Sequence, residues 1–437
     1  MHGRGVVSSR DPPKAVLDGC TKGLPAGTAE MTREDIARAG WNVLREDLPL
    51  PLALLKASSL DHNERWMSAF RAATGVALSP HGKTSMSPEL FARQLREGAW
   101  GITVATVQQL RVCRMAGVSR VLMANQLVGR QAIAYVLDEL ARDPTFEFYA
   151  IADSAALVDT LAEAASKRSV GRPLPLLVEC GFLGGRTGCR TLEEALGVAR
   201  RIAAARPFLR LAGVEGYEGS VPGDSVAERE AAIARFVDFM GKVAGRCHDE
   251  GLFDADTVLL SAGGSAYFDI VTTLPRTLGD RHAEIVIRSG CYLTHDSDSY
   301  AQASARMRER TPALLSLGEG LRDAIEVWSY VQSRPEQGLA ILTMGKRDVS
   351  HDLHAPFARW RFRPGTDAKP VALPQGTNVT ALNDQHAYLA VPAGADIGIG
   401  DMIGCTISHP CTTFDKWRFM PVVDDSYGVV DAITTYF

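Results

Sequence analysis

The chain has 437 residues, 46% of them hydrophobic and 22% charged, with a formal net charge of -4. This is the composition of a globular protein with material for a large core and two domains, and the weak negative charge leaves no basic footprint for nucleic acid or an acidic membrane surface. No apolar run approaches a membrane span and the opening residues lack a signal-peptide core, which points to a soluble, cytoplasmic protein. The eight cysteines (Cys20, Cys113, Cys180, Cys189, Cys247, Cys291, Cys405 and Cys411) have no framework spacing and contain no C-x-x-C, so they read as thiols.

In chain order, residues 1–49 read as an N-terminal extension, mobile to about Ala29 because Gly, Pro and basic residues alternate there without periodicity. A short apolar strand at 52–56 follows, then a helix over 61–73 with Trp66, Ala69, Phe70 and Ala73 on its apolar face. From Val76 a rhythm sets in. β-type runs at 76–79, 102–105, 121–124, 146–151, 176–179, 211–215, 258–261 and 285–288 alternate with helical stretches. Eight strands separated by helices imply parallel pairing through right-handed crossovers, the number that closes a (β/α)8 TIM-type barrel in the α/β class. An open doubly wound sheet is the alternative. The longest connection carries one helix over 226–250, with Ile233, Phe236, Val237, Met240 and Val243 spaced by three and four. The barrel is thus assigned to residues 50–305. Residues 306–437 form a second, mostly β domain, with strands at 324–333, 339–344, 386–391 and 402–408, the first two joined as a hairpin. The strand at 52–56 would be a ninth in the barrel, so it pairs either there or in the β domain.

The first barrel strand runs into Pro80-His81-Gly82-Lys83-Thr84, where Pro80 and Gly82 stop it. Ser87-Pro88-Glu89 then reads as an N-cap, a proline at the first helical position and an acid in the first turn. Lys83 therefore sits on a strand-to-helix turn. A lysine amine held partly out of water there favours the uncharged form that a nucleophile or base requires.

The C-terminal ends of the barrel strands are the working face of such a fold. They place His81 and Lys83 after strand one, Arg186 after strand five and Tyr217 after strand six. Strand seven leads into Ala262-Gly263-Gly264-Ser265 and strand eight into Ser289-Gly290-Cys291-Tyr292. Small residues in those two loops let backbone N–H groups converge on a phosphate. Near the C-terminus, His409-Pro410-Cys411 sets an imidazole and a thiol two residues apart; on an extended segment both reach one ion, a donor pair that suits zinc and leaves open positions.

Together these residues resemble the D-serine dehydratase and D-threonine aldolase family, from about Leu50 to the end and including Gly98-Ala99-Trp100-Gly101 and Gly345-Lys346-Arg347-Asp348. The resemblance implies an alanine-racemase type of fold, pyridoxal 5'-phosphate carried on Lys83, and a phosphate held by Gly263, Gly264, Ser265, Gly290 and Cys291. It also implies that His81, Arg186 and Tyr217 contact the cofactor, that His409 and Cys411 bind a divalent metal, zinc, and that the enzyme is a homodimer. Two departures stand out: Ser265 replaces a common threonine, and Lys83-Thr84-Ser85-Met86 lacks a further basic residue. Cysteine at 411, where aldolases tend to carry aspartate, resembles the dehydratases.

The expected reaction is then a metal-assisted β-elimination from a D-β-hydroxy amino acid, D-serine first, giving keto acid and ammonia. A D-threonine aldolase giving glycine and aldehyde is the enzymatic alternative, and a racemase has no use for a metal at the hydroxyl. Outside enzymes, a pyridoxal-phosphate carrier would need only a barrel, whereas more than a hundred residues and a candidate metal site follow this one.

Overall fold

The computed structural model describes residues 16–437, and these divide into two compact units. The first comprises residues 69–83 and 91–290; the second comprises residues 16–68, 84–90 and 291–437. The earliest strand, β1 (Leu52–Lys56), lies in the second unit.

The first unit holds β2 (Ala77–Leu78), β3 (Ile102–Val104), β4 (Arg120–Gln126), β5 (Glu147–Ala152), β6 (Leu174–Cys180), β7 (Leu209–Gly216), β8 (Thr257–Ala262), the short β9 (Thr277–Leu278) and β10 (Arg281–Ile287). All eight strands expected from the alternating pattern are present. They pair in parallel in the order β2-β10-β8-β7-β6-β5-β4-β3, while β9 pairs antiparallel on β10. Beyond β2, His81 forms a parallel bridge with Thr103 and the Trp100 N–H donates to Leu78 O at 2.6 Å. These bonds bring the two ends of the sheet together, as a barrel requires and an open sheet does not. Leu122, Tyr149, Ile151, Leu177, Ala212, Leu259 and Val286, contributed by successive strands, form one buried cluster. The approach of β7 to β8 is so close that a Cβ on Gly213 would stand 1.9 Å from Leu259 O.

Outside the strands, the helix Val226–Asp249 starts at a Ser225 capping box and buries Ile233, Phe236, Val237, Met240 and Val243, as its spacing predicts. The helix Ala57–Thr74 is longer than the expected 61–73, and its face differs: Trp66, Met67 and Phe70 are buried, but Ala69 and Ala73 are exposed. Alanine has too little apolar surface to dictate which way a helix turns.

The second unit is built on β11 (Ile325–Glu336), β12 (Leu339–Leu342), β13 (Phe357–Phe362), β14 (Val371–Ala372), β15 (Asn378–Leu382), β16 (Ala387–Ala390), β17 (Met402–Thr406), β18 (Phe419–Val423) and β19 (Val429–Thr434). The main sheet runs β14-β13-β17-β11-β1-β18-β19. β11 and β12 form the expected hairpin, which β16 and β15 extend. β1 sits centrally, antiparallel to β11 and parallel to β18. Its first four residues are buried, which is why it reads as an unbroken apolar run. The ninth strand therefore belongs to the β unit.

Part of the expected N-terminal extension, residues 1–15, lies outside the described residues. From residue 16 the chain is packed into the second unit: Leu17, Leu24, Ile36, Val43 and Leu48 are buried, and a Cβ on Gly23 (φ +95°) would stand 2.8 Å from Leu52 Cδ1. Irregular loops bury side chains one at a time, and such burial has no period to read. No described helix is long and apolar enough to cross a membrane.

Candidate active site and metal centre

Lys83 is placed by a short chain of necessities. Ser79 N–H donates to Ile287 O at 2.8 Å and His81 N–H to Arg288 O at 3.2 Å, which carries the register of β2 past Pro80. Gly82 follows because a side chain would not fit: a Cβ there would come within 2.9 Å of Ile102 and 3.0 Å of Phe91. The chain then makes a single 3-10 turn over Gly82–Thr84. The helix Pro88–Arg96 begins next, Ser87 Oγ lying 3.5 Å from Leu90 N and 2.8 Å from Glu89 Oε2. The Lys83 side chain is exposed, so the turn presents the amine without withdrawing it from water.

Three cationic groups gather on His81. Burial pushes its imidazole well below the ordinary histidine range, and the charges of Lys83, Arg288 and Arg186 push the same way. The ring is thus neutral at physiological pH, and its Nδ1 is buried without a hydrogen-bond partner. Arg288 is itself buried: it meets Glu215 Oε1 at 2.6 Å and donates to Ser261 Oγ at 3.0 Å and Gly216 O at 2.9 Å. Burial raises the Glu215 carboxyl to about 7, against the attraction of Arg288. The sequence reading missed this pair; its one signal was a charged residue ending each of two apolar runs, at 211–215 and 285–288. Arg186 is exposed, its guanidinium 4.9 Å from the centroid of the Tyr217 ring.

The amides of the first glycine loop have a partner within the chain. Gly263 adopts φ +89°, a left-handed conformation that suits glycine, and its N–H donates to Glu218 Oε2 at 2.9 Å. Gly264 N–H donates to Glu218 Oε1 at 2.7 Å. Two amides expected to hold a phosphate therefore serve a buried carboxylate of the chain. The other residues expected at the phosphate are Ser265, Gly290 and Cys291. Ser289 Oγ ties the loops together through Gly264 O at 3.0 Å.

In the second unit, His409 and Cys411 come together, but not on extended backbone. β17 ends at Thr406, Pro410 is helical (φ -59°, ψ -46°), and Cys411 begins the short helix Cys411–Phe414. A helical start, rather than a strand pleat, sets the two side chains side by side. His409 Nδ1 lies 2.6 Å from Asp352 Oδ2, and Thr412 Oγ1 donates to Asp352 Oδ1 at 2.6 Å. A hydrogen bond to Cys411 raises His409 to about 9, and hydrogen bonds from Cys291 first, then His409, hold the Cys411 thiol well below its ordinary range. Both shifts favour the thiolate form of Cys411 beside His409. Cys411 Sγ lies 3.6 Å from Thr84 Oγ1 and 3.8 Å from Cys291 Sγ.

Each cluster fits the group its residues suggest. The exposed Lys83 amine, the unpartnered His81 nitrogen, the Arg186–Tyr217 stack and the convergence of cationic side chains suit a flat ring bearing an anionic phosphate. The thiolate, and an imidazole fixed by a carboxylate behind it, are the donor set and outer partner of a divalent transition-metal site.

Comparison with known proteins agrees with both halves. Residues 55–266 match the alanine racemase N-terminal domain model and residues 324–423 the putative serine dehydratase domain model. The chain is 26% identical over 398 residues to the D-threonine aldolase of Arthrobacter sp, covering 91% of this chain and 94% of that one. It is 24% identical over 384 residues to the D-threo-3-hydroxyaspartate dehydratase of Delftia sp. (strain HT23), covering 84% and 92%. Among solved structures, D-threonine aldolase from Filomicrobium marinum superposes with a TM-score of 0.71 at 24% identity, covering 91% of this chain and 96% of that one. The chain is thus similar in sequence to an alanine racemase N-terminal domain followed by a putative serine dehydratase domain, it has an alanine-racemase-like fold, and its resemblance to the D-serine dehydratase and D-threonine aldolase family stands.

Proposed function

We propose that the chain is a lyase of D-β-hydroxy amino acids that uses pyridoxal 5'-phosphate and a divalent metal, zinc, and that it eliminates the β-hydroxyl of D-serine to give pyruvate and ammonia. The observation that carries this reading is the presence in one chain of an exposed amine on the barrel turn and a carboxylate-backed imidazole–thiolate pair.

When bound, the pyridoxal ring supplies an electron sink for charge at the α-carbon, and the metal supplies Lewis acidity at the β-oxygen. The rest falls to the protein. Lys83 would hold the cofactor, and its free amine would be the base that takes the α-proton. Ser265, Gly290 and Cys291 supply loop groups for the phosphate, and Gly263 and Gly264 shape that loop while bonded to Glu218. His81, neutral, would contact the cofactor without adding charge, and Arg186, stacked on Tyr217, would contact it as well. His409 and Cys411 hold the cation, and Asp352 fixes the imidazole tautomer. The soft Cys411 sulfur selects zinc over magnesium or manganese. Loss of the α-proton and the β-hydroxyl leaves aminoacrylate, which hydrolyses to keto acid and ammonia. The working form is a cytoplasmic homodimer, a compartment in which eight unpaired thiols persist.

Retro-aldol cleavage is the second reading, favoured by the aldolase names of relatives such as that of Arthrobacter sp. In it the β-hydroxyl loses its proton and the Cα–Cβ bond breaks. The reconstituted protein, incubated with D- and L-serine, D-threonine and D-3-hydroxyaspartate, separates the two. Keto acid and ammonia from the D-isomers, abolished by a chelator, support elimination; glycine and aldehyde without keto acid overturn it in favour of cleavage. Light scattering on the same sample tests the dimer.

A further inference from the structure

We propose that Cys291 is a third protein ligand of the metal held by His409 and Cys411, so that the ion is bound by one imidazole and two thiolates with its fourth position open. This rests on the metal-site reading above and deepens it.

The Sγ atoms of Cys291 and Cys411 stand 3.8 Å apart. A tetrahedral zinc ion with Zn–S bonds of about 2.3 Å separates two of its sulfurs by about 3.8 Å. The thiols are therefore already at ligand spacing, too far apart for a disulfide bond and close enough to share one ion. Thr84 Oγ1 closes a triangle with them, 3.6 Å from Cys411 Sγ and 3.8 Å from Cys291 Sγ. His409 is hydrogen-bonded to Cys411 from the other side. Cys291 is 4% exposed and also hydrogen-bonded to Tyr300, so its thiol is aimed by its surroundings rather than loose.

Chemistry points the same way. Catalytic zinc sites present three protein ligands and one open place, and His409-x-Cys411 alone supplies two. Among the described residues no three His, Cys, Asp or Glu side chains are already set to hold an ion, so the three proposed ligands must close on the metal as it binds. Protons now occupy the hydrogen bonds between these groups; binding M²⁺ forms two M–S bonds and one M–N bond and releases the displaced protons to solvent. The role of Cys291 thereby divides: its backbone belongs to the loop after β10, and its sulfur to the metal.

Zinc K-edge absorption spectroscopy on the full-length zinc-loaded protein counts the sulfurs. Two sulfurs per zinc in the unmodified protein, falling to one in Cys291→Ser and one in Cys411→Ser, with zinc affinity at least about tenfold weaker in each, is the expected result. One sulfur in the unmodified protein, unchanged in Cys291→Ser, overturns the proposal and leaves Cys291 as a hydrogen-bond donor to a Cys411 thiolate. If His409→Ala and Cys411→Ser also leave the sulfur count and affinity unchanged, the metal site itself lies elsewhere, and the parent reading falls with the proposal.

Discussion

Glu218 Oε1 accepts a 2.7 Å hydrogen bond from the N–H of Gly264, and its other oxygen takes the N–H of Gly263 at 2.9 Å. A carboxylate of the chain thus holds the glycine turn that a phosphate was expected to hold. Glu218 is fully buried, so Glu218→Ala strips two donors of their acceptor where water does not readily replace it. The expected loss of stability is roughly 2–4 kcal/mol by urea unfolding, with Glu218→Gln losing less because it keeps one acceptor oxygen. An unchanged midpoint in Glu218→Ala would show that the turn does not depend on the carboxylate.

On the proposed function, Lys83→Ala removes both the anchor of the cofactor and the base. The variant is expected to fold normally, since the side chain is exposed. It should lose the visible absorbance of lysine-linked pyridoxal phosphate, and turnover should fall by at least about 10³-fold. Retention of both would move the cofactor to another lysine.

At the proposed metal site Asp352 would act through His409, which makes it a positioning residue. Burial works against its charge, but hydrogen bonds from Thr412 and His409 hold its carboxyl below the ordinary range. Asp352→Asn should weaken metal binding by about 10–100-fold while leaving cofactor absorbance unchanged, and excess metal should restore the rate. A parallel loss of cofactor would show a wider structural role.

Acid stability has a separable contribution on the barrel surface. Hydrogen bonds from Thr145, then Arg114, lower Asp143 from 3.8 to about 2. A depressed carboxyl contributes stability that is fully present above the unfolded value and is lost as pH falls through the folded one. Asp143→Asn should therefore cost roughly 1 kcal/mol at pH 7, allowing for solvent screening. The difference should fade between pH 4 and pH 2. Thermal melts of both proteins across that window test it; a constant difference would place the effect elsewhere.

The barrel was legible because its evidence is local. Eight apolar runs broken by helical stretches, and a long helix with Ile233, Phe236, Val237, Met240 and Val243 in register, record burial in a repeating form. Lys83 was legible for the same reason: Pro80, Gly82 and the Ser87-Pro88-Glu89 start leave one place for a turn. Ala69 and Ala73 were misplaced because alanine is tolerated on either face of a helix.

By itself, then, the sequence determined the barrel strands, the β-rich C-terminal part, the lysine on its turn and the histidine–cysteine pair. Only the tertiary structure decided that β1 lies between β11 and β18, that residues 16–48 are packed rather than extended, and that Arg288 is buried against Glu215. It also decided that Glu218 takes the glycine amides and that the thiol of Cys291 lies beside Cys411, 120 residues further on. The reason is physical: periodicity records that a side chain is buried, while the identity of its neighbour depends on where distant stretches of backbone meet.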